Sequence, residues 1–328
     1  MRKLWAAAFI MCSPISAYAM PDIDTFTENM DEQSGYVPFY YDKSQDRIYI
    51  EIDKLDTQML FQTSLPQGMG SNDIGLDRGQ LGDTRVVLFS RYGNKVLLKQ
   101  INTDYQASSN NKAEHNSITE AFAQSVIAGF EVVAEDGEDV LVDYTSYLLS
   151  DVHGISHRLQ QKQQGNFQID TSRSAVYLPR SKSFKNNTEL ESVVTFGGNN
   201  AGQFVEQVTP DPTSISVHLH HSFVKLPDDN YEPRQYHPFS GYWKAGYFDY
   251  STAIDQPLEI KFIRRHRLFK KDPEAKQSEP VEPIVYYLDP GIPEPVMSAL
   301  KEGASWWNQA FTDIGLSLIH ISEPTRPY

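Results

Sequence analysis

The sequence predicts a β-rich α+β fold built mainly on an antiparallel sheet, and three observations lead there. Residues 47–53 alternate strictly, with Ile48, Ile50 and Ile52 on one side and Tyr49, Glu51 and Asp53 on the other. Apolar runs at 85–90 and 95–101 flank Tyr92-Gly93-Asn94, which marks a hairpin. Further extended segments follow at short intervals with turn residues between them, a spacing that favours antiparallel neighbours over strand–helix–strand crossovers.

Beyond these, strands are expected at 59–65, 140–147, 167–178, 189–196, 214–226 and 258–268. Two helices interrupt the series. Ile118, Ala121, Phe122, Ser125, Val126, Gly129 and Phe130 recur at helical spacing, and Ser117 with Glu120 could form a capping box at the start. A shorter helix is expected over 151–164, closed by Gly165 at its C′ position. The Pro- and charge-rich stretch 270–283 (KKDPEAKQSEPVEP) reads as a linker between a β-rich region, 20–269, and a strand–turn–helix unit, 284–315. In the last helix Val296, Leu300, Ala304, Trp307, Phe311 and Ile314 share a face, as suits a helix laid across a sheet.

The N-terminus reads as an address. Arg2 and Lys3, the apolar core 4–11 and Ala17-Tyr18-Ala19 compose a signal peptide over 1–19, cleaved before Met20. That core is too short to span a bilayer, and no other segment approaches the roughly 20 apolar residues a span needs. Cys12, the single cysteine of 328 residues, lies inside the leader without a lipoprotein cleavage box before it. The mature chain therefore has no disulfide, no thiolate nucleophile and no cysteine-based latency switch. A periplasmic or secreted bacterial location follows as the expectation. The net charge of −14 repels nucleic acid and anionic lipid.

Few residues present themselves for chemistry. His218, His220 and His221 in SVHLHHSF are the one histidine cluster. On a strand the first two point to one face and His221 to the other, so at most two converge, and a zinc site would need a further ligand. The competing reading is a hydrogen-bonded structural role. His153 and His157 stand four apart, the spacing of a helical metal pair, but Gly154 occupies the place where HExxH carries its glutamate base. A surface helix turn is the simpler reading. The glycine-rich stretch from Gly68 through Gly70 and Gly75 to Asp77-Arg78-Gly79 has the wrong spacing for a nucleotide fingerprint and reads as an ordered loop with a local Asp77–Arg78 ion pair. Arg264, Arg265, His266, Arg267, Lys270 and Lys271 read either as a docking surface for an acidic domain or as a strand edge protected by charge. No catalytic, cofactor-binding or metal-binding residue is assigned.

Several stretches then carry a resemblance: SNDIGLDRGQLGDTRVV, FAQSVIAGF, LVDYTSYLLSDVHGI, DTSRSAVYLPRSKSF, HHSFVKLPDDNYEPR, FIRRHRLFKKDP and PIVYYLDPGIPEPVMSALKEGASWWNQAF. From about Phe39 to Gly315 the chain resembles the N-terminal two-thirds of a family of large exported bacterial zinc-dependent metalloproteases. The resemblance implies a β-rich N-terminal region, then a metzincin-like catalytic domain of which 284–315 is the first strand and helix. In the family a later helix carries H-E-x-x-H-x-x-G, with zinc on the histidines and the glutamate as base. No position here matches that motif, so the fragment itself is expected to be inactive and to hold no zinc, although the intact protein would use zinc to hydrolyse peptide or protein substrates. A β-rich binding or chaperone-like module for proteins or surface glycans is the alternative. Residues 316–326 (LSLIHISEPTR) coincide with one translated frame of a common transposase sequencing adapter. Residues 316–328, His320 among them, are therefore read as an artefactual tail with no packed place in the fold.

Overall fold

In the computed structural model, which describes residues 20–317 and the backbone of 320–322, antiparallel strands dominate as the sequence pattern predicts. The signal peptide over 1–19 lies outside the described residues. In chain order the elements are α1 (Ile23–Thr27), β1 (Asp31–Gln33), β2 (Phe39–Asp42), β3 (Arg47–Ile52), β4 (Met59–Gln67), β5 (Gln80–Tyr92), β6 (Lys95–Gln100), β7 (Tyr105–Gln106) and α2 (Lys112–Ala121). Then come β8 (Ser125–Asp136), β9 (Asp139–Asp143), α3 (Thr145–Leu148), α4 (Ile155–Gln161), β10 (Asn166–Ile169), β11 (Ala175–Val176), β12 (Lys182–Ser183), β13 (Asn187–Asn199), α5 (Gln203–Val208) and β14 (Ser214–Lys225). The series closes with β15 (Lys244–Asp249), β16 (Glu259–Ile263), β17 (Val285–Tyr287), α6 (Val296–Ser305), α7 (Trp307–Asp313) and β18 (His320–Ser322). No helix of the described residues is long and apolar enough to cross a membrane.

Contacts divide the chain into two units. Among the described residues the first holds 20–101 together with 125–226, and the second holds 102–124 and those from 227 to 317. The first unit is one sheet of 13 strands in the order β1-β2-β3-β9-β8-β6-β5-β4-β14-β13-β10, with β11 and β12 also paired to β13. Every pairing in it is antiparallel. Ile48, Ile50 and Ile52 of β3 enter the main core beside Phe61, Phe89, Phe130, Tyr144 and Phe223. Tyr49, on the opposite side of β3, is buried as well, because Phe26 of α1 covers it edge-on at 5.2 Å. A separate core gathers Leu65, Phe196 and Leu219 of the sheet with Ile155 and Leu159 of α4. Met69, Ile74 and Leu76 join it, which makes the glycine-rich stretch the ordered loop that was expected.

Several boundaries depart from the sequence reading. The helix expected from Ile118 to Phe130 ends at Ala121; its cap is Asn111, which accepts from the Ala113 N–H at 3.0 Å, and Ser117 lies inside it. From Ser125 the chain is β8, because β-branched Val126 pairs with β6 and Val132 with β9 across the Gly137 turn, with Ile127 and Val133 at the register shifts. α4 starts at Ile155 rather than 151 and stops before Gly165. Gln163, with φ of 56°, takes the left-handed position. The Gln163 N–H reaches Gln160 O, and the Gln164 N–H reaches Leu159 O, which is a Schellman closure two residues earlier than the glycine.

The strand expected over 167–178 is broken into β10 and β11, since Asp170 accepts the Ser172 N–H at 3.1 Å and turns the chain. β9 ends at Asp143, whose carboxylate accepts the Thr145 N–H and starts α3. β16 ends at Ile263, short of the predicted 268.

In the second unit β16, β15 and β7 form a three-stranded sheet. Tyr105 stacks on Phe122 just after α2, with centroids 3.9 Å apart. Residues 270–283 fold back on themselves, the Lys271 N–H reaching Glu279 O and the Val281 N–H reaching Phe269 O. The final helix is two helices, α6 and α7. Along the predicted apolar face, Val296 is 50% exposed, Leu300 44%, Trp307 64% and Ile314 64%. The expectation that nothing from 316 onward packs is corrected at Leu316, which is 5% exposed and donates its N–H to Phe311 O. The β18 backbone pairs in parallel with β17.

Candidate functional site

The first unit carries a polar cleft of about 400 Å³ where β4 and β5 fall out of register. Gln62 pairs with Thr84 and Ser64 with Leu81, so Gly82 and Asp83 together oppose Thr63. Such a bulge reverses the facing of residues beyond it. It brings Gln80, Gly82 and Arg85, which strict alternation would separate, into one cleft wall. The floor requires glycine: a Cβ on Gly82 would lie 2.2 Å from Thr63 Oγ1 and 3.4 Å from His153 Nδ1. The facing wall is the turn into α4, with Asp151, Val152, His153, Gly154 and Arg158. Gly154, at φ of 74°, holds the left-handed conformation that starts the helix there. Asp151 secures the turn by accepting the Ile155 N–H at 2.7 Å and the Ser156 N–H at 2.9 Å, one on each carboxylate oxygen.

His153 is the titratable centre of this wall. Its Nε2 stands 3.3 Å from Gln80 Oε1, and its Nδ1 is buried with no partner. Burial pushes its pKa below the ordinary histidine value, with Arg158 adding to the effect and Asp151 and Asp83 opposing it. The ring is neutral at pH 7. With Gln80 offering an amide oxygen to Nε2, the proton sits there and Nδ1 is left as an acceptor. Arg85 stands 3.9 Å from Asp83, whose side chain is 88% exposed. Arg158 has no ion pair among the described residues.

His218 and His220 share one face of β14, as predicted, and His221 the other. Opposite them on β13 lie Glu189 and Glu191. Glu191, with no solvent exposure, accepts from His218 Nδ1 at 2.6 Å, from His220 Nδ1 at 3.2 Å and from Arg180 at 3.2 Å. Glu189 accepts from His220 Nε2 at 2.6 Å and from Asn187 at 2.6 Å, and Ser222 also donates to it. Burial disfavours a charge on His220, but the two glutamates outweigh it and raise its pKa to about 9. Burial likewise acts to raise both carboxyls, and the histidine hydrogen bonds prevail and hold them below their ordinary range. His221 is buried beside Tyr144, 2.9 Å from its hydroxyl, and burial together with the His220 charge lowers its pKa to about 3. The hydrogen-bonded structural reading of the cluster is the one these contacts describe.

The other singled-out residues separate. His153 precedes α4 and faces the cleft just described, whereas His157, on α4, lines a larger open depression of about 560 Å³ with Asn166, Gln168 and Gly197. They do not form a helical pair. The basic run lies beyond β16, which corrects the strand-edge reading. Two of its cations meet acids of their own unit: Arg267 pairs with Asp228 and, at 2.9 Å, with Glu282, and Lys271 with Glu279 at 2.7 Å. Arg265 lies over the Tyr231 ring at 4.9 Å.

Sequence reasoning missed Glu189, Glu191 and Arg180, and in the cleft Gly82, Arg85 and Arg158. The alternation of Glu189 and Glu191 was visible in TELES, but that they face the histidines depends on the pairing of β13 with β14. A bulge leaves no such mark in the sequence.

These donor sets do not fit a catalytic zinc. No group of three His, Cys, Asp or Glu side chains converges on a common point among the described residues. Both nitrogens of His220 are engaged by carboxylates instead. Compared with known proteins, residues 79–271 match a family model described as "Domain of unknown function (DUF5117)". No curated protein and no solved structure matches the chain.

Proposed function

We propose that this chain, which belongs to the DUF5117 family, is the non-catalytic N-terminal part of an exported zinc-dependent metallopeptidase. The observation that carries the reading is the apolar face of the last helices. Val296 and Leu300 on α6, Trp307 on α7 and Ile314 just after it remain largely open to water, while Phe311 is partly buried. Burying each open side chain would be worth ~1.5–3 kcal/mol, so leaving them open suits helices shaped to lie under further chain. That is the place the family resemblance gives them, as the first long helix of a metzincin-like domain.

In the intact protein zinc would polarise the scissile carbonyl and lower the pKa of a bound water. None of the residues described above takes part in that step. The first unit would act as a scaffold or positioning region beside the catalytic domain. The reading is tested on the intact gene, expressed with its native continuation beyond codon 315. Stoichiometric zinc and chelator-sensitive peptide hydrolysis are expected. A continuation that carries no HExxH motif, or a zinc-free product, would reject it.

A second reading, from a different class, treats the first unit as a binding module. The polar cleft at the β4–β5 bulge favours it, because Arg85 and Arg158 line it together with His153. The two readings are compatible.

A further inference from the structure

An open depression of about 560 Å³ lies in the first unit where the flank of α4 meets β10 and the end of β13. His157 and Gln160 stand three apart on α4 and so share one side of the helix. Asn166 of β10 stands across the ladder from Asn199 of β13, which sets two amides side by side. Gln168 stands across from Gly197, which has no side chain to screen it. These five polar side chains are exposed, and none has a hydrogen-bond partner among the described residues.

The chemistry of the lining narrows the ligand. It contains no Lys, Arg, Asp or Glu. Arg173 stands beside Gly197, with its charge matched by Asp170 at 2.9 Å. A phosphate or carboxylate therefore finds no unmatched cation. Phe167 is 3% exposed, so an apolar ligand finds no open hydrocarbon and a peptide finds little backbone of β10 to add to. A side-chain amide offers donors and an acceptor together, and each hydroxyl of a sugar does the same. The volume has room for about two linked sugar rings.

From this arrangement we infer that the depression binds an uncharged saccharide. Gln160, Asn166, Gln168 and Asn199 exchange hydrogen bonds with its hydroxyls, and His157 adds one from the helical side. The inference rests on the second reading, the first unit as a binding module, and gives it a ligand at a site other than the bulge cleft. No bond is made or broken.

NMR titration of the full chain with maltotriose, cellotriose and chitotriose decides it. Trigalacturonate and acetyl-trialanine amide serve as the charged and peptide controls. At least one of the neutral trisaccharides should bind and should move the side-chain amide resonances of ¹⁵N-labelled Asn166, Gln168 and Asn199. Neither control should move them. Joint replacement His157→Ala and Gln168→Ala should weaken binding about tenfold or more, the loss expected for two hydrogen bonds. Both residues are exposed, so thermal melts of the variant should match those of the unaltered chain.

Failure of all three trisaccharides to bind would overturn the assignment. So would movement of the same amides by trigalacturonate or by the peptide. A trisaccharide that leaves these amides unmoved and binds the variant as tightly would also overturn this site, while leaving the first unit a binder at another surface.

Discussion

The two units solve the same problem of burying a sheet in different ways. The first covers both sides of its long sheet: isoleucines and phenylalanines fill the main core, α1 caps Tyr49 on the back, and α4 with the 68–79 loop closes another end. It even buries charge, holding Glu191 among two histidines and an arginine. The second unit has a three-stranded sheet and leaves large side chains in water, with Phe239 93% and Trp243 83% exposed. Apolar surface of that size is expensive unless something covers it. The lesson is that stability and interaction are placed in different parts of this chain, the first unit being complete in its core and the second presenting surface.

The largest effect should come from removing the buried carboxylate. Glu191→Ala leaves His218, His220 and Arg180 without their shared acceptor and should cost about 3 kcal/mol or more, measured by denaturant unfolding of the first unit. A loss under 1 kcal/mol would mean that the network is no more than a solvated surface group.

Acidity should bend the stability of the first unit in both directions. His220, raised from 6.5 to about 9, favours the fold fully below pH 6.5, and that contribution fades as pH rises through 9. His221, lowered to about 3, favours the fold above 6.5 and its contribution fades as pH falls toward 3. Glu189 and Glu191, with depressed values, strengthen the acid limb below their ordinary 4.5. Stability should therefore peak near pH 6.5, with a slope of up to about 1.36 kcal/mol per pH unit on the alkaline side. His220→Gln should flatten that alkaline limb and also weaken the acid limb, because His220 helps to depress Glu189, Glu191 and His221; an unchanged slope between pH 7 and 9 would contradict the assignment.

The smallest effect belongs to the open helices. Trp307→Ser removes a large side chain that is 64% exposed and should shift thermal stability by no more than about 0.5 kcal/mol. Phe61→Ala, in the first core, should cost about 3–5 kcal/mol. Comparable losses for the two would erase the contrast between the units.

How much of this was legible in the sequence varied with the range of the interactions that decide it. β3 and the β5–β6 hairpin could be read directly, because alternation and a turn are local. Residues 118–130 could not, since AFAQSVIAGF satisfies a helical and a strand period together and the pairing of β8 between β6 and β9 decides. The end of α4 was misplaced by two residues because Gln163, not the glycine, adopts the left-handed conformation. At the site the histidine faces were predicted correctly on β14, whereas the glutamates that hold them come from β13 and became evident only through the strand register. The cleft depends on one extra residue opposite Thr63, a displacement that no periodicity records.

Hydrogen exchange across the whole chain tests the central contrast most directly. Amides in the middle of β13, β14 and β4 should exchange only through global opening of the first unit, while those of α6 and α7 should exchange orders of magnitude faster through local opening. Protection of α6 and α7 equal to that of β13 and β14 would contradict the account, because helices with an uncovered apolar face would then be as firmly held as the core of the sheet.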